Sequence, residues 1–295
     1  VSAGNLGAAL EELRPIGLEE LIACASLQTR VDRKYVLPAD VAEELLGRLP
    51  SGTRVLDIDG DRSFAYRSLY FDTPELTSYL LTAHRRRRRF KIRTRLYEQS
   101  GDCWLEVKVR GNRGSTVKQR LPYEPRDWNT LGPGRDFVDE ILAENRIAGS
   151  PLFDYVPTLT TRYHRTTLHL PDTNSRVTID TGLTWVDGDR EMCLPDTVIV
   201  ETKTGSTASH VDRLLWRSRY RPSRISKYAT GLAALRPHLP DGPWRRTLRR
   251  HFPPDLPRTA PDAGPRRAEV PVTGSPDVAP VCPPLQERLD AVMSR

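Results

Sequence analysis

A chain of 295 residues with a formal net charge of +7 can bury a real core, as one large β-rich domain or two modest ones. The excess charge is mainly arginine, which favours a phosphate-bearing partner: nucleic acid, a membrane surface or small phosphates. No apolar run approaches the length of a membrane-spanning helix, and the opening VSAGNLGAALEEL lacks the basic start and apolar core of a signal peptide. The four cysteines, Cys24, Cys103, Cys193 and Cys282, lack CxxC spacing, which argues against a zinc site and offers no disulfide framework. A soluble cytoplasmic protein is the expectation.

Taken in order, residues 1–27 carry two amphipathic stretches, Ala8–Leu13 and Gly17–Ala25, predicted as outer helices. TRVDRKYVLP reads as a strand with Arg30, Asp32 and Lys34 on one face, and a helix follows over Val41–Arg48. Phe64–Asp72 is aromatic and β-prone, and Thr73-Pro74 is expected to open a helix running to about Ala83. The arginine run Arg85–Arg89 reads as a solvated turn whose last members could reach the mouth of whatever the next strand lines.

The organising stretch is Phe90–Arg110. In FKIRTRLY, Lys91, Arg93 and Arg95 share a face opposite Phe90, Ile92 and Leu96. In WLEVKVR, Trp104, Glu106, Lys108 and Arg110 share a face opposite Leu105, Val107 and Val109. Alternation with period two marks strands with one buried apolar face. Like charges stacked along the other face repel, so the array calls for a bound polyanion. A hairpin loop, Gly111–Ser115, leads into TVKQRLP, which puts Thr116, Lys118 and Arg120 together.

A helical excursion is predicted over Asp127–Asn145, then a strand over Thr158–Leu170 carrying Arg162 and Arg165. Their odd spacing places them on opposite faces unless a bulge intervenes. His164 and His169 in that strand read as ordinary polar positions. SRVTID groups Arg176, Thr178 and Asp180, and VIVETKT groups Ile199, Glu201 and Lys203. Helices are expected at Ser209–Trp216 and from SRISKYATGLAAL, with Lys227 near the start of the second. The character changes near Pro237: residues 237–295 are basic, then Pro-rich, and are expected to form a largely disordered tail, with a short helix at Leu285–Met293.

About eight strands with a charged face opposite an apolar one allow two arrangements. An open sheet would cover its apolar face with helices and leave the basic face in water. A closed barrel would point Lys34, Lys91, Arg93, Arg95, Lys108, Lys118, Arg120, Lys203 and either Arg162 or Arg165 into its lumen. So dense a positive interior is costly unless phosphates and a metal fill it. Arginine forks pair bidentately with phosphate oxygens and lysines act as point charges between them. Glu106, Asp180 and Glu201 are candidate ligands for Mg2+ or Mn2+, ion pairing being the plain alternative for each.

Eight motifs in order, DRKYVLP, SLYFDTPEL, RFKIRTRLY, WLEVKVRGNRGSTVKQRLP, RYHRTTL, VTIDTGL, VIVETKT and SRISKYATGL, resemble the VTC domain. That family is the polyphosphate polymerase branch of the triphosphate tunnel metalloenzymes, a CYTH-like superfamily. The resemblance covers about residues 28–236. It implies an α+β fold, a closed eight-stranded antiparallel β-barrel tunnel with helices packed outside, in which the γ-phosphoryl group of ATP passes to inorganic polyphosphate. It further implies Lys34, Arg93, Arg95 and Lys203 at the reacting phosphates. Lys91, Lys108, Lys118, Arg120, Arg162, Arg165 and Lys227 would bind substrate, and Glu201, with Glu106 and Asp180 in support, would hold Mn2+ or Mg2+. The hydrolytic CYTH relatives carry an ExExK strand where this chain has RVDRK, with Arg30 and Asp32 in place of the glutamates. That difference favours the polymerase over a triphosphatase; a non-catalytic polyphosphate-binding module is the other alternative. Nucleic acid is not expected as a partner, because the aromatics lie mostly on apolar strand faces and do not interleave with the cations. The Pro-rich tail reads as a linker, or else as a docking segment for a membrane-protein partner.

Overall fold

The computed structural model describes residues 3–24, 31–111 and 116–252. Arg30, most of the predicted hairpin loop, and the Pro-rich tail with its short helix lie outside the described residues. The strands are β1 (Arg14–Ile16), β2 (Val31–Pro38), β3 (Arg54–Leu56), β4 (Phe64–Asp72), β5 (Phe90–Tyr97), β6 (Cys103–Arg110), β7 (Thr116–Tyr123), β8 (Val156–Leu170), β9 (Ser175–Asp187), β10 (Arg190–Leu194) and β11 (Thr197–Thr204). The helices are α1 (Ala3–Glu11), α2 (Leu18–Cys24), α3 (Ala39–Leu46), α4 (Thr77–Ala83), α5 (Arg135–Glu144), α6 (His210–Arg217), α7 (Lys227–Leu235) and α8 (Arg245–His251). No helix among the described residues is long and apolar enough to cross a membrane.

The α+β class holds, but the sheet has 11 strands and is not closed into the expected eight-stranded barrel. Its main path runs β2-β11-β9-β8-β4-β5-β6-β7, and these are the strands whose alternation the sequence carries. The three others branch off: β1 pairs in parallel with β3, β3 pairs with β8, and β10 forms a hairpin with β9. At three residues each, β1 and β3 are too short to display a period.

A barrel would require β7 to pair with β2. Part of the outer edge of β2 is instead engaged by the segment before α7, where the Ser223 amide donates to the Lys34 carbonyl at 2.7 Å. An edge strand covered by a loop has fewer free backbone groups to offer a further strand. The sheet therefore curls around a channel with a seam between β2 and β7, and residues 223–227 pass along that seam.

Apolar faces pack outwards against helices. In β5 and β6, Phe90, Ile92, Leu105, Val107 and Val109 meet Val138, Ile141 and Leu142 of α5, which share one helical face at three- and four-residue spacing. On the other side Tyr35, Leu37, Val177, Ile179, Val198 and Val200 pack under α3 and α6. Each such aliphatic side chain contributes about 1.5–3 kcal/mol when fully buried.

Helix α4 starts at Thr77, later than Thr73-Pro74 suggests. The buried Asp72 carboxylate sets this start by accepting the amides of Thr73, Ser78 and Tyr79 at 2.8, 2.7 and 2.9 Å. It also accepts the Tyr228 hydroxyl, which ties α7 to α4. Packing of α7 on β9 requires Gly231, because a Cβ there would lie 2.1 Å from the Trp185 ring.

Candidate functional site: a cationic channel

The concave face of the sheet encloses a cavity of about 430 Å3. Alternation along each strand aims Asp32 and Lys34 of β2, Lys91, Arg93 and Arg95 of β5, and Lys108 and Arg110 of β6 into it. Lys118 of β7, Arg165 of β8, Glu201 and Lys203 of β11, and Lys227 at the start of α7 complete the wall. Register places Lys91 opposite Lys108, and Lys108 opposite Lys118, so like charges face each other across three strands. Such pairs are destabilising until an anion bridges them.

Two fully buried carboxylates lie behind the wall. Glu106 takes Arg93 Nε at 2.5 Å and Lys118 Nζ at 2.5 Å. Asp180 takes Arg165 as a fork, Nε at 2.6 Å and Nη2 at 2.9 Å, and Lys227 Nζ beside it. Burial raises the Glu106 pKa, but Arg93 and Lys118 overturn that and hold it well below the usual range. For Asp180 burial again raises, and Arg165 and Lys227 bring it down to about 2. Both acids are 0% exposed, and their oxygens are occupied by cations. They sit ion-paired beneath the channel, the arrangement that was the plain alternative to a metal for each.

The lysines respond oppositely. Burial among cations pushes Lys118 down to about 7 and Lys91 down to about 8, and lowers Lys108 strongly. Lys91 Nζ donates to the Ser226 hydroxyl at 2.9 Å, and that hydroxyl also accepts the Ala229 amide as the cap of α7. Arg95 rests over the Tyr66 ring at 5.3 Å with Nε on Ser68 at 3.3 Å.

Glu201 is placed differently from the other two acids. Its carboxylate faces the channel and has Lys34 Nζ at 3.7 Å. Burial raises its pKa, but Lys34, Lys203, Arg165 and Lys227 hold it well below the ordinary value. Register pairs Glu201 with Lys34 and Lys203 with Asp32, so Asp32 lies diagonally from Glu201 on the same face. Among the described residues no group of three His, Cys, Asp or Glu gathers around one point. One or two carboxylates are nonetheless what Mg2+-type ions use when phosphate oxygens and water supply the remaining ligands. Glu201 with Asp32 fits that chemistry.

Two predicted substrate residues, Arg162 and Arg120, are not among those that line the cavity. Arg162 is exposed on the outer face of β8, and the β8–β9 register shifts between Arg162 and His164. Arg120 stacks its guanidinium over Trp104 at 4.7 Å. Conversely Tyr70, Tyr163 and Ser226 line the cavity without having been predicted, and Arg89, the last of the arginine run, lines it as expected of a residue at the mouth. Tyr163 is stacked on Tyr66 at 5.3 Å, and its buried hydroxyl has no hydrogen-bond partner among the described residues. Burial raises its pKa, but Arg95, Arg165 and Lys227 overturn that and lower it. Its placement one residue from Arg162 and two from Arg165 was the available signal, since a strand aims Tyr163 and Arg165 the same way.

A channel with this charge, in a curled antiparallel sheet, agrees with the comparison to protein families. The VTC domain model matches residues 29–236, more than half of the chain, and the protein belongs to the VTC domain family. No curated protein matches the sequence. Among solved structures, HpAC1 from Hippeastrum, an adenylyl cyclase candidate with a dominant triphosphatase activity, is 17% identical with a TM-score of 0.45, covering 70% of this chain and 96% of its own. An adenylate cyclase candidate from Bacillus halodurans is 14% identical with a TM-score of 0.43, covering 67% and 94%. These likenesses are remote; membership rests on the domain match.

Proposed function

We propose that this chain is a metal-dependent polyphosphate polymerase that transfers the γ-phosphoryl group of ATP to the end of an inorganic polyphosphate chain in the channel. The observation carrying this reading is the crowding of Lys91, Arg93, Arg95, Lys108 and Lys118 on one wall around the single buried carboxylate of Glu106. Lysines depressed by burial among cations regain their protons when a polyanion arrives, which makes the channel a receptor for linked phosphates.

The arginines divide their donors. Arg93 and Arg165 each hold a buried carboxylate on one side and keep their orientation for phosphate oxygens on the other. A terminal phosphate oxygen of the acceptor would form the new P–O bond to the γ-phosphorus as the bond to the β,γ-bridging oxygen breaks, releasing ADP. Such a transfer needs in-line positioning and charge neutralisation, with no protein nucleophile. A divalent cation held by Glu201, with Asp32 beside it, would neutralise phosphate charge at that point. Lys34 and Lys203 flank this carboxylate pair and would position the triphosphate against it.

A triphosphatase is the second reading, and Asp32 is the observation that favours it, since two carboxylates on the channel wall resemble a hydrolytic site more than one does. Incubation with γ-labelled ATP and Mn2+, with products run on a gel, separates them. The polymerase gives a phosphate ladder that disappears in Glu201→Ala and Lys203→Ala. Orthophosphate alone supports the hydrolase, and no turnover with tight polyphosphate binding supports a binding module.

A further inference from the structure

A second cavity, about 1040 Å3, lies between the C-terminal ends of α4 and α5 and the β6–β7 edge of the sheet. Arg86, Arg87, Arg88, Arg110 and Arg146 line it, with Glu144 as the acid on the same wall. None of the five arginines has an ion-pair partner among the described residues. A run of arginines in a turn is by itself only a solvated turn. Here Arg110 from the end of β6 and Arg146 from the end of α5 converge on the run from distant parts of the chain, which local sequence does not require.

The two cavities meet. Arg110 lines both, and on β7 Thr116 and Lys118 face the channel while Val117 between them faces the second cavity. Because β7 is an edge strand, a chain leaving the channel can pass round it. Arg89 stands on the channel side of this junction. Its side chain donates to the Arg86 carbonyl at 2.8 Å, which links the channel mouth to the arginine turn.

We propose that this groove is a second polyanion site, which binds the stretch of polyphosphate that extends beyond the channel mouth. The inference rests on the polyphosphate reading above. Continuity with the channel favours a linked phosphate chain, and among the described residues the groove wall has no aromatic ring on which a nucleobase could stack. Arg86, Arg87 and Arg88 lie on the groove alone, so their removal isolates it.

The test is equilibrium binding, without metal, of tripolyphosphate and of long-chain polyphosphate to the full chain and to the triple variant Arg86→Ser/Arg87→Ser/Arg88→Ser. An unchanged thermal unfolding midpoint checks the fold, and Arg146→Gln alone serves if the triple variant fails to fold. The triple variant is expected to lose long-chain affinity on the order of tenfold or more, with a shallower salt dependence, since each cation–phosphate contact releases counterions. Tripolyphosphate binding should not change. Equal long-chain affinities in the two proteins, or a parallel loss for tripolyphosphate, overturn the proposal. So does a loss seen only with phosphatidylserine vesicles or single-stranded RNA. Wild-type protein that binds tripolyphosphate but gains nothing from longer chains removes the groove and leaves the channel standing. Protein that binds neither removes the channel reading, and the groove with it.

Discussion

The two walls of the channel solve the same problem with different balances of charge. On the β5–β6–β7 wall, Glu106 faces Arg93 and Lys118, with Lys91, Arg95 and Lys108 adding to the excess. On the wall built from β2, β8, β9, β11 and α7, Asp180 plays the same part beneath Arg165 and Lys227, but Glu201 and Asp32 also face the cavity. The first wall has cations and no exposed acid, which suits it to hold phosphates. The second alternates signs, which suits it to hold a phosphate together with a metal.

The largest expected effects break the buried counter-ions. Glu106→Gln and Asp180→Asn each leave two cations without their buried counter-ion, and removing one member of a buried pair costs about 3–5 kcal/mol. Urea unfolding of the free protein checks this. Tripolyphosphate should restore more stability to Glu106→Gln than to Asp180→Asn, because the Glu106 wall holds the greater cation excess. Equal restoration would show that the walls do not divide the work.

Next is Glu201→Gln. If the second wall carries the metal, turnover should fall roughly 10²–10³-fold, the range seen when one group stabilising transition-state charge is removed. Metal-free tripolyphosphate binding should hold or tighten, since a negative charge has left the cavity. Lys108→Ala on the other wall should weaken that binding. Matching losses of binding in both variants would erase the distinction between the two walls.

A smaller effect comes from pH. Lys118 at about 7 and Lys91 at about 8 are depressed by burial, with Glu106, Arg95 and Arg93 around the first and Tyr70, Lys34, Arg93 and Arg89 around the second. At these two lysines the unfolded chain binds more protons than the folded one above pH 7, so stability of the free protein should rise with pH from about 7 to about 9, before the tyrosines begin to titrate. Polyanion binding reverses this by returning protons to the lysines, so affinity should fall as pH rises through 7 and 8. Calorimetry in buffers of different ionisation enthalpy would register the proton uptake, and its absence would show that these lysines are already charged.

Period-two patterning made the main path of the sheet and most of the channel wall legible, because each of those strands presents one face to a core and the other to the channel. Closure was not legible. It depends on which group takes the edge of β2, and Ser223 lies far from Lys34 in sequence. Nor could alternation alone separate Glu106 and Asp180 from Glu201, since all three share faces with cations. Depth in the wall separates them, and depth is set by the curl of the sheet. The expectation that the aromatics lie mostly on apolar strand faces passed over Tyr70 and Tyr163, which floor the channel beneath arginines.

The finest test of the two faces lies within one strand. Arg162 and Arg165 belong to β8 and are equally charged, but Arg162 is exposed on the outer face, whereas Arg165 is 7% exposed and locked to Asp180. Arg162→Ala should change stability by no more than about 0.5 kcal/mol, as expected for a surface site outside any network, and leave tripolyphosphate binding within about twofold on the same ground. Arg165→Ala leaves Asp180 with Lys227 alone and removes a guanidinium from the channel wall, so both stability and binding should suffer. If Arg162→Ala weakens binding as much as Arg165→Ala does, the register shift before His164 would have to aim Arg162 inwards when substrate is bound. The channel wall would then include a side chain that the free protein keeps in water.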